Sequence, residues 1–494
     1  MQTGFKSQCI PEYRLLNHAQ IEELHRATLE VLETVGVKVH HEQALELLRT
    51  SGCRVKDDQT VMIPNWLVEA SIRSAPSRVT IYDRDGNEAM RLEGNNIYFG
   101  LGTDLLQVYD IRTNELRDAC LNDVVEAAVV ADHCDEIDFI ASQAHPKEID
   151  TNLAFIASFK ALVETSPKPI YNTAASHHDL AYIIKMAETI SGGADQFRAK
   201  PFFIHYAEPI SPLVHSQGAL DKLLLCADKG VPLNYVPALL SAASGPITLA
   251  GACVVANAEA LSGLVIHQLQ AKGAPMISGF SATPLDMATG TTVYASPDER
   301  LTHSACCDLY HYYGLPVWGE AGCCDSKLLD GQAAIEATAT IMMAALDGCN
   351  LIHNMGYLGQ GLIGSPAAIV MCNEIISYVK RIMRGFSMDR EHLSIDAIRE
   401  VGPGGTFLTH DQTLELCRSE HWRPQLINRD NPEVWVAAGG KRYSEVVSEK
   451  TLEILASHQP KRLVTETVKA LDGVYRQAES NLNEKFISAP KVDW

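Results

Sequence analysis

Short apolar segments recur about every 30–40 residues between residues 97 and 352, and stretches with helical spacing lie between them. Residues 315–365 show the repeating unit: an apolar strand, a Gly-rich polar loop, an Ala- and Met-rich helix, the next strand and another Gly-rich loop. Strands that alternate with helices at this spacing indicate βαβ units in a parallel sheet. Eight strands, near residues 97, 138, 170, 203, 233, 276, 317 and 352, favour an α/β fold closed into a (β/α)8 TIM barrel. An open doubly wound sheet is the alternative, but no GxGxxG motif opens a helix after the first strand.

Two segments lie outside this alternation. Residues 1–92 combine helical patterns with short strand-like runs, which predicts an N-terminal α+β cap. Residues 93–386 form the predicted TIM barrel. Residues 387–494 contain helical stretches and polar loops and predict a helical C-terminal extension.

Composition argues against several classes of protein. The chain has 494 residues and a formal net charge of −20, which is unfavourable for binding nucleic acid. Its 13 cysteines are scattered without a CxxC pair, as in a reduced protein. We find no long uncharged apolar run typical of a membrane span, and residues 1–14 lack the apolar core of a signal peptide. Together these features predict a cytoplasmic protein.

Aromatic and polar residues collect where the predicted strands end, which is the edge where β/α barrels build their active sites. These residues are Tyr98, Phe99, Asp104, Tyr171, Asn172, His205, Tyr206, Glu208, Asn234, Tyr235, Trp318, Glu320, His353, Asn354 and Tyr357. Aromatic faces around one cavity attract a quaternary ammonium by cation–π interaction, at about 0.5–2 kcal/mol per face. The alternative is that these aromatic side chains only fill the mouth of the barrel.

The titratable residues among them allow more than one role. Glu208, after an apolar strand and before a proline, could face a substrate cation or act as an acid or base, or it could be an ordinary loop acceptor. His205 and His353 could donate to a substrate carboxylate or could be core histidines.

Metal sites are not predicted. His303, Cys306, Cys307 and His311 have helical spacing but lie on a predicted barrel helix away from the strand ends, where core packing is favoured over zinc. Cys323 and Cys324 lie in a loop at the active face without evident further ligands. The sequence has no HExxH, Walker or GxSxG motif.

Longer motifs carry a family resemblance. The runs HYAEPISPL, GCCDSKLLDGQAAIEATATIMMAALDGCNLIHNMGYL and NEIISYVKRIMRGF, followed by GPGG and HWRPQLINRDNPEVW, resemble the trimethylamine methyltransferase superfamily over nearly the whole chain. The resemblance implies a TIM barrel that moves a methyl group from an amine to the cobalt of a separate corrinoid protein. The chain has no corrinoid-binding DxHxxG motif, so the corrinoid is expected from a partner protein and no tightly bound cofactor is expected.

The resemblance also narrows the range of candidate substrates. Archaeal trimethylamine enzymes of the family carry pyrrolysine, whereas this chain has only standard residues and is similar to the branch that demethylates quaternary amines. We expect the position equivalent to pyrrolysine in the loop from Gly319 to Gln332. Glycine betaine is the favoured substrate, and proline betaine, carnitine and γ-butyrobetaine are alternatives. A non-catalytic betaine-binding barrel and a barrel lyase or hydrolase using Glu208 and a histidine also stay open.

With this resemblance, each candidate residue receives an expected role. Glu208 and His353 are the expected catalytic residues. The expected substrate-binding residues are Tyr98, Phe99, His205, Tyr206, Tyr235, Arg300, Trp318, Glu320, Asn354 and Tyr357, of which His205, Asn354 and Arg300, together with His353, are candidates for holding a substrate carboxylate. The amphipathic terminal helices and the large apolar fraction predict a homo-oligomer.

Overall fold

The computed structural model of the chain describes residues 8–9 and 11–488. The prediction that residues 1–14 hold no signal peptide falls mostly outside these residues. The amino-terminal part mixes helices and short strands as predicted, and its first long helix begins with a capping box between Asn17 and Gln20. Its elements are β1 (Gln8–Cys9), α1 (His18–Glu30), a π-helical turn (Val31–Val35), β2 (Val37–Val39), α2 (Glu42–Thr50), β3 (Arg54–Val55), β4 (Thr60–Met62), α3 (Asn65–Ser74), β5 (Val79–Tyr82) and β6 (Glu88–Leu92).

The middle of the chain alternates strands and helices. Its elements are β7 (Tyr98–Leu101), β8 (Gln107–Asp110), β9 (Glu115–Asp118), α4 (Leu121–His133), α5 (Thr151–Thr165), β10 (Ile170–Asn172), α6 (His177–Ser191), α7 (Ala194–Ala199), β11 (Phe203–Ala207), β12 (Val214–His215), α8 (Gln217–Lys229), β13 (Leu233–Tyr235), β14 (Ala238–Ser241), α9 (Leu249–Gln270), β15 (Met276–Ile277), β16 (Ser281–Asp286), β17 (Thr291–Thr292), α10 (Pro297–Tyr313), β18 (Trp318–Glu320), α11 (Gly331–Leu346), β19 (Leu351–Met355), β20 (Tyr357–Leu358), β21 (Ile363–Gly364) and α12 (Pro366–Arg384).

The strands that alternate with the long helices of this region pair in parallel and in chain order, whereas the short pairs β8–β9, β16–β17 and β20–β21 are antiparallel. One sheet has the order β10-β11-β13-β15, and a second has the order β18-β19-β7. Single parallel bridges connect Ser278 with Val317, Gly100 with Phe139, and Ile140 with Ile170. Residues 137–142, the predicted second strand, form no regular strand. They contribute only two of these single bridges, at Phe139 and Ile140. The predicted α/β class, with parallel strands alternating with helices, is therefore confirmed.

Helix α9 is a long apolar helix of the core. By length and composition it could cross a membrane, with a mean hydropathy of 1.7, but 72% of its most apolar window is buried inside the fold. It packs against α1, α3 and α8. Its all-round apolar surface is explained by this burial.

The C-terminal part is helical, as predicted. Its elements are β22 (Phe386–Ser387), α13 (Ile395–Val401), α14 (Asp411–Glu420), α15 (Pro432–Ala437), α16 (Tyr443–Ser457) and α17 (Thr465–Ser488). Helix α16 packs against α4 and α12, and α17 packs against α5 and α6. Two strand pairs, β1 with β22 and β2 with β12, join parts of the chain on either side of the predicted domain boundaries. The boundaries at residues 92 and 386 stay predictions.

Candidate functional site

Four aromatic rings meet at the carboxyl ends of the parallel strands. The imidazole of His353 lies 4.9 Å from the ring of Trp318, 5.2 Å from Tyr171 and 6.3 Å from Tyr206, measured between ring centres. Glu320 pairs directly with His353 across β18 and β19, so its side chain points to the same face of the sheet. We call the four rings the aromatic cluster.

A fifth aromatic residue comes from a loop near the site. Tyr294 follows β17 and packs against the small cluster of Leu105, Cys323 and Tyr357. Burial raises the pKa of the Tyr294 hydroxyl well above its usual value, and the nearby Glu320 and Glu208 carboxylates raise it further. The Tyr294 hydroxyl is therefore within electrostatic range of both carboxylates.

The hydroxyl of Tyr357 is already used within the protein. It donates to the backbone carbonyl of Thr103 at 2.6 Å. A Cβ at Gly102 would lie 2.3 Å from this hydroxyl, so only glycine fits there. Tyr357 packs with Leu105, Cys323 and Tyr294, and its role in substrate binding stays a prediction.

Two carboxylates accompany the aromatic rings. Glu208 accepts a hydrogen bond from the Tyr206 hydroxyl at 3.0 Å. Its side chain is exposed to solvent although protein surrounds it, so it lies on the wall of a recess. Burial raises the pKa of Glu208, and the Tyr206 hydrogen bond and the charge of Lys222 partly oppose this shift.

Glu320 is more deeply buried. It is 6% exposed, and its Oε2 has no hydrogen-bond partner within the described part of the protein. Burial raises its pKa to about 8, with a further increase from Glu299 and an opposing effect of Arg300. A carboxyl group of this kind is protonated at neutral pH in the free protein and can ionise when a cation arrives.

Unpaired polar atoms are concentrated at the aromatic cluster. Within the described residues, Trp318 Nε1 and both ring nitrogens of His353 are buried without a hydrogen bond of good geometry, although the Tyr171 hydroxyl and the Asn354 side chain lie near them. Burial lowers the pKa of His353 to about 3, so its imidazole is neutral and offers one donor and one acceptor. Because buried polar groups in proteins are normally paired, this concentration indicates a binding site for a small molecule.

An internal cation lies beside the site. The Arg300 guanidinium binds both carboxylate oxygens of Glu299 and donates to the backbone carbonyl of Glu320 at 2.7 Å. Its donors are largely satisfied there, which leaves little for the predicted contact with a substrate carboxylate. The ion pair with Glu299 was not predicted from the sequence, and the contact of Arg300 with a substrate stays a prediction.

Glu299, His303 and Glu320 could in principle hold a metal, since their ligand atoms lie within 4.8 Å of one another. However, Arg300 already neutralises Glu299, and the Glu320 backbone N–H donates to His303 Nε2 at 3.3 Å. These residues therefore fit a metal ion poorly. The expectation that His303 lies away from the strand ends is wrong, because the first turns of α10 pack against the carboxyl end of β18.

Three predicted substrate-binding residues are not in the site. The Tyr98 hydroxyl accepts from the Arg91 backbone N–H at 3.0 Å, near the amino end of β7. Phe99 points to the opposite face, where its ring lies 5.8 Å from the ammonium of Lys380. Tyr235 also points away from the aromatic cluster and is hydrogen-bonded to the His215 ring at 2.8 Å. These placements correct the sequence-based assignment.

Of two further predicted residues, one lies on the opposite face of the sheet and the other follows His353 in the chain. His205 is fully buried and points to the opposite face from its neighbour Tyr206. Asn354 has a φ of +83°, and its side chain interacts with His353 and lies against Gly102. Sequence reasoning did not single out Tyr294 or Lys222, because neither lies at the end of a predicted strand.

The packing of Tyr235 leads to a prediction about stability. A Cβ at Gly263 of α9 would lie 2.4 Å from the Tyr235 ring. We expect Gly263→Ala to lower the free energy of unfolding by about 1–3 kcal/mol, because overpacking forces the ring or the helix to move. Urea denaturation measures this effect. The matched control is Gly218→Ala in α8, where a Cβ meets nothing within 4 Å and the change should be neutral or stabilising. Equal stability of both variants and the parent would contradict the packing described here.

Comparisons with known proteins agree on one family. The family model described as trimethylamine methyltransferase (MTTB) matches residues 2–481. Trimethylamine methyltransferase MttB of Desulfitobacterium hafniense is 32% identical over 464 residues, which cover 93% of each chain. Trimethylamine methyltransferase MttB of Methanosarcina thermophila is 31% identical, with 94% of this chain and 98% of the relative covered.

Two other similarities extend this result. A glycine betaine methyltransferase of Desulfitobacterium hafniense is 27% identical over 480 residues, covering 97% of this chain and all of the relative. The crystal structure of the monomethylamine methyltransferase of Methanosarcina barkeri superposes with a TM-score of 0.52 at 11% identity, over 97% of this chain and 89% of that one. At this identity the structure supports the fold alone. Since the family model and the sequence relatives span almost the whole chain, the protein belongs to the trimethylamine methyltransferase family and is a methyltransferase.

Proposed function

We propose that this protein transfers a methyl group from a quaternary amine, most favourably glycine betaine, to the cobalt(I) of a separate corrinoid protein. The observation that carries the proposal is one site that combines five aromatic side chains with the carboxyl groups of Glu208 and Glu320. A quaternary ammonium has no N–H to donate, so π faces and negative charge are the groups that recognise it. The similarity to a glycine betaine methyltransferase supports the same substrate.

Methyl transfer from a quaternary amine requires the protein mainly to bind the substrate and to orient its methyl group. The C–N bond breaks, its electron pair stays on nitrogen, and a neutral tertiary amine leaves without needing a proton. The cobalt(I) would supply the electron pair for the new bond to the methyl carbon. The residues of this chain would hold the cation, point one methyl group outward and limit access of water. In this reading Glu208 faces the cation and neutral His353 contacts the rest of the substrate.

We further propose that the eight parallel segments close into a (β/α)8 barrel whose mouth is the candidate site. The support is that each segment is bridged to the next in chain order, and that β19 pairs with β7. The corrinoid protein would dock at this mouth, and the chain would bind no tight cofactor of its own.

We also propose that the protein acts in the cytoplasm as a homo-oligomer. Exposed apolar side chains in the C-terminal extension, such as Leu408 and Leu414, support self-association. The cysteines that the structure describes are free thiols, which suits a reduced compartment.

The decisive experiment is methylation of free cob(I)alamin, followed by absorbance. Glycine betaine, proline betaine, carnitine, γ-butyrobetaine and trimethylamine are supplied in parallel. We expect methylcobalamin from at least one quaternary amine, glycine betaine first. A second candidate is trimethylamine itself, the substrate in the names of the relatives at 31–32% identity. Transfer from trimethylamine alone, or binding of a betaine without transfer, would overturn the proposal.

A further inference from the structure

A buried asparagine lies next to the aromatic cluster. Asn234 is the middle residue of β13 and is fully buried. It pairs directly with Tyr206 across β11 and β13, so both side chains point to the same face of the sheet. Its Oδ1 accepts a hydrogen bond from the Tyr171 hydroxyl at 2.7 Å, and its Nδ2 donates to the backbone carbonyl of Ile277 at 3.1 Å. Asn234 therefore connects one ring of the aromatic cluster to the neighbouring strand β15.

These two hydrogen bonds fix the direction of the Tyr171 proton. The Ile277 carbonyl can only accept, so the amide nitrogen of Asn234 must face it and the amide oxygen must face Tyr171. An amide oxygen can also only accept, so the Tyr171 hydroxyl must donate its single proton to Asn234. The lone pairs of the hydroxyl oxygen are left for other contacts.

The Tyr171 hydroxyl stays protonated beside the site. Burial raises its pKa well above its usual value, the neighbouring Trp318 indole N–H opposes this shift, and the Glu320 and Glu208 carboxylates add to it. Tyr171 is 1% exposed, so water does not compete for its proton. The hydroxyl is therefore a fixed dipole whose positive end lies on Asn234 and whose oxygen is the end available to a cation.

Other acceptors of the site compete for this proton. Within the described residues, Glu320 Oε2 and the ring nitrogens of His353 are buried without hydrogen bonds of good geometry. The His353 ring centre lies 5.2 Å from that of Tyr171. Without the Asn234 amide, the Tyr171 hydroxyl would turn its proton toward one of these acceptors, because an unpaired buried donor is costly. A cation would then have to reverse this arrangement before it could bind.

We infer that Asn234 is a positioning residue, which holds the Tyr171 hydroxyl with its proton turned away from the site and its oxygen toward the ammonium group of the substrate. This inference rests on the proposed function, because it takes the bound group to be a methylated cation. It adds a fixed hydroxyl dipole to the aromatic faces and carboxylates of the site. The effect should appear as discrimination between a charged and a neutral ligand of the same shape, since only a charge responds to the direction of a dipole.

The test compares glycine betaine with the tert-butylacetate ion by titration calorimetry. The second ligand replaces the trimethylammonium group by a neutral tert-butyl group of the same shape and keeps the carboxylate. We expect the parent protein to prefer glycine betaine, and we expect Asn234→Leu and Tyr171→Phe each to lower this preference by about 3- to 10-fold, as for the loss of one hydrogen bond. The double variant should lose no more than either single variant, because both substitutions remove the same dipole.

The matched control is Asn257→Leu, at another buried asparagine that contacts a tyrosine. Asn257 Nδ2 lies 3.1 Å from the Tyr313 hydroxyl and 3.1 Å from the Thr28 hydroxyl, where α9 packs against α1. This variant should lower the melting temperature and leave the ligand preference unchanged. Thermal unfolding of every variant separates loss of folding from loss of preference, and Asn234→Val keeps the test valid if Asn234→Leu does not fold.

The outcomes separate the two proposals. Equal weakening of both ligands in Asn234→Leu would mean that the asparagine only supports packing, and it would overturn the inference. Additive losses in the double variant would also overturn it, since Asn234 and Tyr171 would then act independently. A parent protein that binds both ligands equally would do the same. If the parent shows the expected preference and the variants lose it, but no methyl group reaches cob(I)alamin, the proposed function fails and the role of Asn234 stands.

Discussion

Glu208→Gln should raise the KM for glycine betaine by about 30-fold, equivalent to about 2 kcal/mol, and change kcat little. The reason is the direction in which charge moves. The ammonium group of the proposed substrate loses its positive charge as the methyl group leaves. A carboxylate beside it therefore stabilises the bound substrate at least as much as the transition state, which affects binding more than the chemical step. Steady-state methylation of cob(I)alamin measures both constants.

Two variants make this prediction specific. Tyr206→Phe removes the hydroxyl that donates to Glu208 but keeps the aromatic face, so we expect a smaller increase in KM. Glu415→Gln, at an exposed position of α14, changes the net charge equally and should leave both constants unchanged. A different result would contradict this prediction: kcat of Glu208→Gln falls by two orders of magnitude while KM stays constant. Glu208 would then act as an acid or base, which would support the lyase or hydrolase alternative.

Binding of glycine betaine should strengthen as the pH rises toward 8 and then level off. The pKa of Glu320 is about 8 in the free protein, so below this pH a cation must displace a proton before it can use the negative charge. Affinity should then increase by up to about tenfold per pH unit well below the pKa. Glu299, with a pKa of about 7, and Asp104, with a pKa of about 6, titrate at lower pH. Titration calorimetry measures this effect. The binding enthalpy is compared between buffers of different ionisation enthalpy, and its change gives the number of protons released on binding.

Glu320→Gln provides the control for this pH profile. The variant should show a nearly flat affinity between pH 7 and 9 and release no proton at this site. Because burial raises the pKa of Glu320 from 4.5 to about 8, the native state binds a proton in this range that the unfolded chain has lost. Folding stability contributed by this group is therefore lost as the pH rises from about 4.5 to about 8, and Glu320→Gln should be more stable than the parent at pH 9. An unchanged pH profile in the variant would assign the dependence to another group.

The helices could be predicted well from the sequence. Helical spacing over residues 249–269 predicts a helix that the structure shows as α9, Leu249–Gln270, and helical spacing from Pro366 predicts α12, which begins at that residue. Helical periodicity and terminal capping residues are local signals, so they do not depend on the tertiary structure. The strand positions followed from short apolar runs between these helices.

The site could be predicted only in part, because strand faces could not be assigned. A strand of a parallel sheet is buried on both faces, so its sequence has no alternating pattern that separates inside from outside. Tyr206 and His205 are adjacent in one such strand and point in opposite directions. The same ambiguity placed Phe99 and Tyr235 in the site by mistake. Tyr294 was missed for another reason, since it comes from a loop whose path depends on tertiary packing.

The pairing of Glu299 with Arg300 has an evolutionary consequence. Loss of the arginine alone would leave a buried carboxylate beside Glu320 without its cation, and loss of the glutamate alone would leave a buried guanidinium unpaired. Joint replacement by neutral residues avoids both intermediates. We therefore expect related sequences either to keep both residues of this ion pair or to replace both.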